Sequence, residues 1–230
     1  MRFSDFDVKR YPTVSVLDGY GEWADHYERS VHDEMDLRLL ARLRTIEWDR
    51  VSTAIDLACG TGRIGLWLKS HGVAHVDGVD LTGPMMEQAH AKNVYRSLSI
   101  ADVTDTGLPA RSYELAIQVL ADEHLPDIAP LYREAARLVA DGGDLVIVGY
   151  HPFFLLNGLP THFHRSGDGE PLTIESHIHL MSDHVRAAHS AGWTLIEMEE
   201  GIVDDEWLSA KPKWAKYRQR PVSYAMVWRR

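Results

Sequence analysis

Short apolar, β-branched runs alternate with segments of helical spacing from Ser52 onward. We predict strands over residues 53–58, 75–80, 98–101, 114–120 and 144–150. The segments between them at 62–71, 84–92 and 127–139 read as helices, the last with apolar residues along one face. Regular alternation of strand and helix predicts βαβ units, and therefore an α/β fold with a doubly wound, mostly parallel sheet.

The first fifty residues and the second half of the chain are less regular. Prolines and glycines interrupt residues 151–179 at positions 152, 158, 160, 167, 169 and 171, which predicts a long irregular connection after the fifth strand. A helix over 182–190, capped by Ser182, and final strands over 193–200 and 222–229 follow. Near the N-terminus we predict a helix over 34–43, as part of a helical cap over the sheet edge.

Composition places the chain among folded proteins. Of its 230 residues, 45% are hydrophobic and 25% charged, so disorder is a poor interpretation. The longest apolar runs, 145–150 and 151–156, are too short to span a membrane, and the N-terminus lacks the apolar run of a signal peptide. Cys59 is the single cysteine, so nothing points to an oxidising compartment. We expect a cytoplasmic protein with no membrane partner.

The charge balance argues against a nucleic-acid partner. A formal net charge of −10 repels a phosphate backbone. Residues 211–220 are a local exception, because they are basic and carry aromatic side chains, but an acidic cluster at 204–206 comes just before them. We interpret this region as a solvated loop with balanced charge.

The most informative segment is a glycine loop between the first predicted strand and its helix. Gly60 and Gly62 let the backbone turn tightly and approach a ligand, and Gly65 lets the helix pack close to the strand. Taken alone, this spacing also matches the dinucleotide-binding fingerprint. The loop lies outside the carboxyl end of a central strand, where open α/β sheets bind their ligands.

Three aspartates sharpen the interpretation. Asp56 lies inside the first strand, Asp80 ends the second and Asp102 follows the third. Asp80 can accept hydrogen bonds from two ribose hydroxyls, and Asp102 from an adenine amino group while the Val103 amide donates to a ring nitrogen. Asp56 can order an amino-acid end of the ligand, directly or through water. Alternatively, Asp80 caps the following helix and Asp102 is a turn residue.

The segments 56–62 (DLACGTG), 78–80 (GVD), 101–103 (ADV) and 119–125 (VLADEHL) resemble, in order and spacing, the motifs of class I S-adenosylmethionine-dependent methyltransferases. The resemblance implies a Rossmann-like, seven-stranded sheet whose last strand is antiparallel. It implies S-adenosylmethionine as cofactor, S-adenosylhomocysteine as product, and methyl transfer to an oxygen or nitrogen of a small-molecule acceptor. We expect a single domain with an N-terminal cap over 1–50, a cofactor-binding core over 51–150, and an acceptor-side insert with the last strands over 151–230.

The same resemblance implies which residues lie against the cofactor. Ala58 stands where the family usually has its first glycine, and Met85 would pack on the adenine or ribose. His124 matches a position that usually touches the methionine end of the cofactor. The implied cofactor-binding residues are Asp56, Ala58, Gly60, Gly62, Asp80, Leu81, Met85, Asp102, Val103, Leu120 and His124.

The acceptor side has weaker signals. Methyl transfer depends mainly on positioning, and a base is needed only when the acceptor carries a proton at working pH. His151 follows the fifth strand and His162 lies in the long connection, so we hypothesise that one of them orients or deprotonates the acceptor. The alternative is a structural histidine. Tyr20, with Trp23 or Tyr27, is expected to close over the sulfonium, unless these rings are core.

Other functions remain open at this stage. An NAD-dependent oxidoreductase would share the glycine loop and Asp80 but gives Asp102 no role, and a non-catalytic adenosyl-binding regulator would share the whole site. Two histidine pairs, His162 with His164 and His177 with His179, could supply metal ligands. Their spacing is not specific for a metal site, so no metal is predicted. The chain lacks the Asn/Asp-Pro-Pro-Tyr pattern of DNA adenine and glutamine-amide methyltransferases. We expect a flat, uncharged or weakly basic acceptor and a monomer or homodimer.

Overall fold

The computed structural model describes residues 1–30, 35–159, 161–165 and 169–230. In chain order, its strands are β1 (Thr13–Val14), β2 (Thr53–Leu57), β3 (His75–Asp80), β4 (Ser97–Ile100), β5 (Tyr113–Val119), β6 (Val139–Tyr150), β7 (His162–His164), β8 (Pro171–Ile174), β9 (Thr194–Ile202) and β10 (Pro221–Arg229). Its α-helices are α1 (Val16–Trp23), α2 (Tyr27–Ser30), α3 (Met35–Leu40), α4 (Arg63–Ser70), α5 (Gly83–Ala91), α6 (Ala129–Leu138), α7 (Pro152–Leu156), α8 (Met181–Ser190) and α9 (Asp205–Ala210).

A seven-stranded sheet forms the centre of the molecule, in the order β4-β3-β2-β5-β6-β10-β9. The pairs from β4 to β6 are parallel, whereas β10 runs antiparallel to both β6 and β9. The last strand of the chain is therefore the antiparallel one, and the predicted fold class is confirmed. The chain leaves β2 toward β3 on one side and returns to β5 on the other, which creates a switch point between β2 and β5.

Helices cover both faces of this sheet. On one face α6 and α8 bury Leu131 and Ala188 against Ile147 and Met226. On the other, α4 and the segment from α3 to Ile46 cover a second apolar cluster. The segment after α3 thus packs on a face of the sheet and not over its edge as expected, because its apolar stripe matches the buried side of β6 and β10. Residue 34, the predicted start of this helix, lies outside the described residues.

Strand β6 is longer than predicted and irregular. It begins at Val139, five residues before the predicted start, and pairing with β5 jumps from Tyr113–Val139 to Leu115–Asp144. Gly142 has a φ of +79° within this jump. The residues between the predicted helix and the predicted strand therefore form a bulge, which Gly142 allows because glycine adopts left-handed backbone without a Cβ clash.

The connection over 151–179 is more ordered than expected. It contains α7 and a β7–β8 hairpin, and β1 adds to β8 in parallel to complete a three-stranded sheet. Phe163, Leu172 and Ile174 of this small sheet are buried with Trp23. Among the described residues, Pro152 and Pro171 begin α7 and β8, and Gly158 and Gly169 lie between short elements. Positions 160 and 166–168 lie outside the described residues.

Two further details differ from expectation. Helix α8 begins at Met181, and its first turn is capped by Asp183, whose Oδ2 accepts from the Leu180 N–H at 2.9 Å, and not by Ser182. Helix α9 falls in the charged region that we interpreted as a loop. None of the helices in the described ranges has the length and apolar character that crossing a membrane requires.

Candidate active site

A cavity of about 260 Å³ opens at the carboxyl ends of β2, β3, β4 and β5, beside the switch point. The glycine loop after β2 forms one wall, and the segments after β3 and β5 form two others. Residues from α1 and α2 close the remaining side. Among the residues expected at the cofactor, the cavity is lined by Tyr20, Ala58, Gly60, Asp80, Leu81, Met85, Asp102, Val103, Leu120 and His124.

Left-handed backbone shapes the loop that faces this cavity. Ala58 has a φ of 63° and Gly60 of 52°, and across the cavity Leu120 has 54°. Glycine suits this conformation, whereas a side chain adds about 1–2 kcal/mol of strain. The usual glycine at position 58 is thus explained by backbone geometry, which alanine tolerates at a cost. Strained residues of this kind concentrate at ligand sites.

Asp80 is built into the cavity wall. Its Oδ2 accepts from the Gly60 N–H at 2.8 Å and its Oδ1 from the Thr82 N–H at 2.8 Å. Burial raises the pKa of Asp80, and the backbone hydrogen bonds oppose that rise. A carboxylate oxygen has a second lone pair, so both oxygens can still accept from a ligand. Asp80 therefore orders the loops around it and also offers acceptors to a pair of hydroxyls.

Asp102 is exposed and also serves as a turn residue. Its Oδ1 accepts from the backbone N–H and the side-chain O–H of Thr104, at 2.8 and 2.7 Å. Both bonds go to the same carboxylate oxygen, and Asp102 and the adjacent Val103 line the cavity. The turn and the ligand-binding interpretation are therefore compatible, as they are for Asp80.

Two expected cofactor residues do not line the cavity. Gly62 caps α4 with a φ of 85°, and a Cβ there would lie 3.1 Å from the Cα of Ala89 on α5. Asp56 is 1% exposed and points beneath the loop, where its Oδ2 accepts from the Tyr95 hydroxyl at 2.7 Å. Burial raises the pKa of Asp56 to about 7. Asp56 thus supports the loop through Tyr95, because alternation along β2 turns its side chain toward α4.

His124 and Tyr20 meet inside the cavity. The Tyr20 hydroxyl lies 2.8 Å from His124 Nε2, and His124 Nδ1 lies 2.8 Å from the Glu175 carbonyl oxygen. A carbonyl only accepts, so Nδ1 carries the hydrogen and Nε2 accepts from the Tyr20 O–H. Burial lowers the pKa of His124, which favours this neutral form. Tyr27 also lines the cavity, whereas Trp23 lies behind them, 5.9 Å from Tyr20 between ring centroids.

Sequence reasoning missed an ion pair in the cavity wall. Arg63, the first residue of α4, donates to Asp36 Oδ2, and Asp36 is fully buried. Both residues line the cavity, so its wall holds a guanidinium as well as carboxylates. One sequence feature could have pointed to Arg63. It is a cationic side chain directly after the glycine loop, at a helix N-terminus where packing does not require a positive charge.

Two buried acids follow β5 and were also missed. Asp122 and Glu123 are 4% and 2% exposed. Asp122 Oδ2 accepts from the Tyr224 hydroxyl at 2.7 Å, whereas neither Glu123 carboxylate oxygen has a hydrogen-bond partner among the described residues. Burial raises both pKa values, and the neighbouring Glu123 charge raises that of Asp122 further.

We predict that Glu123→Gln raises the free energy of unfolding at pH 8 by about 1–2 kcal/mol. A carboxyl whose pKa is raised on folding favours the folded state at low pH, and that contribution is lost as pH rises from the ordinary value of 4.5. The variant should therefore lose less stability than the wild type between about pH 4.5 and pH 8. Denaturant unfolding across this range measures it. Glu87→Gln, on the exposed side of α5, is the control, and equal pH profiles for all three proteins would contradict the prediction.

The two histidines expected to act on the acceptor lie outside this cavity. His151 caps α7, where its Nδ1 accepts from the Phe153 N–H at 3.1 Å and its Nε2 lies 2.9 Å from Glu200 Oε1. It therefore does not sit beside the cavity as expected, because the chain bends into α7 directly after β6. His162 lies on β7 and lines a separate cavity. In the described ranges, no group of three or more His, Cys, Asp or Glu side chains is placed to hold a metal ion.

Comparison with known proteins gives a consistent result. Residues 55–147 match the family model described as "Methyltransferase domain". The malonyl-[acyl-carrier protein] O-methyltransferase of Salmonella typhimurium is 26% identical over 130 residues, which are 56% of this chain and 51% of that protein. The human methyltransferase-like protein 27 is 31% identical over 101 residues, 40% of this chain and 39% of that protein. The chain thus spans about half or less of these curated relatives.

A solved structure shares the fold over most of this chain. The S-adenosylmethionine-dependent methyltransferase from Mesorhizobium loti superimposes with a TM-score of 0.69 and 24% identity, covering 86% of this chain and 99% of that one. The agreement extends beyond residues 55–147, the segment matched by the family model.

Proposed function

We propose that this chain is a class I S-adenosylmethionine-dependent methyltransferase that transfers a methyl group to an oxygen or nitrogen atom of a small molecule. The match of residues 55–147 to the model described as "Methyltransferase domain" supports the proposal. The observation that carries the proposal is the position of Asp80 and Asp102. They follow neighbouring strands and line one cavity together with the glycine loop. Carboxylates at strand ends suit ribose and adenine donors and a positively charged ligand.

The cavity residues fit the parts of this cofactor. Asp80 would accept from the ribose hydroxyls, and Asp102 with the Val103 amide would bind the adenine edge. Arg63 offers a guanidinium to the carboxylate of the amino-acid end. Met85 and Leu120 supply apolar walls, and the rings of Tyr20 and Tyr27 provide π-faces for a sulfonium. Asp56 and Gly62 act on this site through Tyr95 and helix packing.

The chemistry assigned to the protein is positioning and proton transfer. When bound, the cofactor supplies a sulfonium methyl carbon, which the acceptor's lone pair attacks as the carbon–sulfur bond breaks and its electrons stay on sulfur. Neutral His124 keeps Nε2 available as a base, and burial holds the pKa of Tyr20 well above its usual value. An acceptor hydroxyl can pass its proton to the Tyr20 oxygen while the Tyr20 proton moves to Nε2. His124 then becomes an imidazolium that still donates from Nδ1 to Glu175.

We predict that Tyr20→Phe and His124→Gln each slow methyl transfer by about 10²-fold for a hydroxyl acceptor, because general-base assistance is lost. Affinity for S-adenosylhomocysteine should change by only a few-fold. Single-turnover transfer of a labelled methyl group measures the first quantity, and titration calorimetry the second. His75→Gln, an exposed position at the start of β3, is the matched control. An unchanged chemical step in both variants would remove the pair from the mechanism.

Thermal unfolding with alternative cofactors tests the function itself. At 100 times its dissociation constant, a ligand that binds the folded state stabilises it by about 2.7 kcal/mol. We expect S-adenosylhomocysteine to raise the melting temperature and NADH to leave it unchanged, and the reverse would favour an oxidoreductase. Incubating the purified protein with labelled S-adenosylmethionine and a metabolite extract then identifies the acceptor. Binding without transfer to any metabolite would favour a non-catalytic adenosyl-binding regulator.

The wider organisation also stays a proposal. We propose one functional unit in which residues 1–50 close the cofactor site, 51–150 hold the cofactor and 151–230 build the acceptor side. The charge of −10 supports a small-molecule acceptor over nucleic acid. A cytoplasmic location and a monomeric or homodimeric state belong to the same proposal. His162 remains a candidate on the acceptor side. Both ring nitrogens of His151 are engaged outside the cavity, so no contact supports its hypothesised role toward the acceptor.

A further inference from the structure

Glu123 is a buried carboxyl group beside the Tyr20–His124 pair. It is 2% exposed, and neither of its carboxylate oxygens accepts a hydrogen bond among the residues that the structure describes. Its main chain is fixed, because the Glu123 carbonyl oxygen accepts from the His177 N–H at 2.6 Å. Burying a carboxylate without a partner is unfavourable, so packing does not account for this side chain.

His124 is the group to which this carboxyl comes close. Glu123 Oε1 lies 3.8 Å from His124 Nε2, and the two side chains are 2% and 5% exposed. The same nitrogen accepts from the Tyr20 hydroxyl at 2.8 Å. The 3.8 Å separation is too long for a hydrogen bond, but an opposite charge within about 4–6 Å favours the charged form of a histidine. Glu123 is therefore placed to stabilise a proton on His124.

The other ionisable side chains around Glu123 do not balance its charge. Those on separate elements are phenols, and for each of them burial raises the pKa and the Glu123 charge adds to the rise. They are Tyr20 of α1, Tyr27 of α2, Tyr150 of β6 and Tyr224 of β10. Among the described residues, His124 is the only basic group paired with Glu123. Two further acids raise the pKa of His124, but Asp122 is engaged by the Tyr224 hydroxyl and Glu175 is exposed.

The proposed reaction moves a positive charge onto this histidine. As the acceptor oxygen bonds to the methyl carbon, the carbon–sulfur bond breaks and the cationic sulfonium becomes a neutral thioether. The proton of the acceptor hydroxyl passes to the Tyr20 oxygen, and the Tyr20 proton passes to His124 Nε2. The products are a neutral ether and an imidazolium, whose formation burial opposes. A carboxylate 3.8 Å from Nε2 offsets this cost.

We propose that Glu123 is a positioning residue of this relay, whose carboxylate stabilises the imidazolium of His124 without touching the acceptor. The inference rests on the proposed methyltransferase function and narrows the acceptor to a hydroxyl compound. An amine attacks through a free lone pair and needs no such relay, whereas a hydroxyl must release its proton as the new bond forms. A hydroxyl compound also fits the uncharged acceptor expected from the sequence.

This role of Glu123 gives methyl transfer a defined pH dependence. Burial raises the pKa of Glu123 to about 7, so its negative charge is present above that pH and is lost below it. We expect the single-turnover rate to rise as pH increases through about 7 and then to level off. The rate is measured with protein in excess over methyl-labelled S-adenosylmethionine, and a metabolite extract supplies the acceptor.

Glu123→Gln keeps the size of the side chain and removes its charge. At about pH 9 it should slow transfer by about tenfold to 100-fold, and the rise through about pH 7 should be absent. At about pH 5.5 its rate should lie within about threefold of the wild type, because both side chains are then neutral. Glu87→Gln, the same change at an exposed position, and Asp122→Asn should keep the rise. A residue with only a structural role would change the rate equally at every pH.

A second measurement needs neither acceptor nor cofactor. The ring nitrogens of His124 are followed by nuclear magnetic resonance between about pH 5.5 and pH 9 in protein with nitrogen-labelled histidine, and His124→Gln identifies their signals. We expect the Nε2 signal to shift through about pH 7 in the wild type, because a carboxyl 3.8 Å away ionises there. The shift should be absent from Glu123→Gln. An Nε2 signal with the same pH dependence in both proteins would overturn the proposal.

The two measurements separate this inference from the proposed function. An Nε2 shift that depends on Glu123, in a protein that transfers no methyl group, would support the charge pair and overturn the proposed function. Methyl transfer with the same pH profile in Glu123→Gln and the wild type would overturn the role of Glu123 alone. A labelled methyl group found on a nitrogen atom of the product would overturn the hydroxyl acceptor.

Discussion

Replacing Asp80 with alanine is expected to weaken S-adenosylhomocysteine binding by about 100-fold or more. The carboxylate is proposed to accept two hydrogen bonds from the ribose, and bonds to a charged group contribute about 1.5–3 kcal/mol each. Two such bonds at the lower limit give about 3 kcal/mol, and each 1.4 kcal/mol is a factor of ten in affinity. Titration calorimetry measures the change.

The substitution also removes contacts within the protein, so matched variants are needed. Asp80 accepts from the Gly60 and Thr82 N–H groups, and these bonds hold the loop in shape. Asp80→Asn keeps one acceptor oxygen and should lose about tenfold in affinity. Asp141→Ala removes an exposed carboxylate far from the cavity, paired with Arg111, and should leave binding unchanged. A folded Asp80→Ala protein with wild-type affinity would refute the ribose contact and remove the main support for the cofactor site.

Gly65→Ala is expected to lower the free energy of unfolding by about 3 kcal/mol. A Cβ at this position would lie 2.2 Å from the Tyr95 ring carbon Cζ and 2.3 Å from its hydroxyl oxygen. The ring has little room to retreat, because a Cβ on Gly62 or Gly78 would also lie about 3 Å from it. Overpacking costs about 1–3 kcal/mol. Displacing the hydroxyl would add the cost of leaving the buried Asp56 carboxylate without its bond.

Two comparisons isolate the cause. Gly21→Ala adds the same methyl group in α1, where nothing lies within 4 Å, and should stabilise the protein by about 0.5–1 kcal/mol through helix propensity. In a Tyr95→Ala background, Gly65→Ala should have almost no further cost, because the clash partner is gone. Denaturant unfolding is measured for these four variants and the wild type. If the two substitutions lower the free energy of unfolding additively, the destabilisation by Gly65→Ala does not come from a clash with Tyr95.

The cofactor side could be predicted from local pattern alone. Strands β2, β3, β4 and β5 begin at residues 53, 75, 97 and 113, each within one residue of the predicted start. Parallel strands joined by helices end at the same edge of a sheet, so the glycine loop, Asp80 and Asp102 had to approach each other. The structure places all three in one cavity, and their role toward the cofactor stays a prediction until Asp80 is tested.

The acceptor side could not be predicted in the same way. His151 has the right position after β6, yet the next residues turn into α7 and use its ring as a cap. The Tyr20–His124 contact joins residues 104 apart and depends on how α1 packs over the cavity. Arg63 and Asp36 likewise meet across elements that no local pattern relates.

Local alternation of apolar and polar residues, with glycines at the turns, is therefore sufficient for the parallel part of the sheet and the carboxylates at its strand ends, because short βα loops and right-handed crossovers leave little choice. The seven strands and the antiparallel last one were implied by the family resemblance. The pairing of His124 with Tyr20 and of Arg63 with Asp36 depends on tertiary packing. They arise where α1 packs over the segment after β5 and where α3 packs against the start of α4. Contacts between segments far apart in the chain are decided by shape and burial, which leave no periodic signal in the sequence.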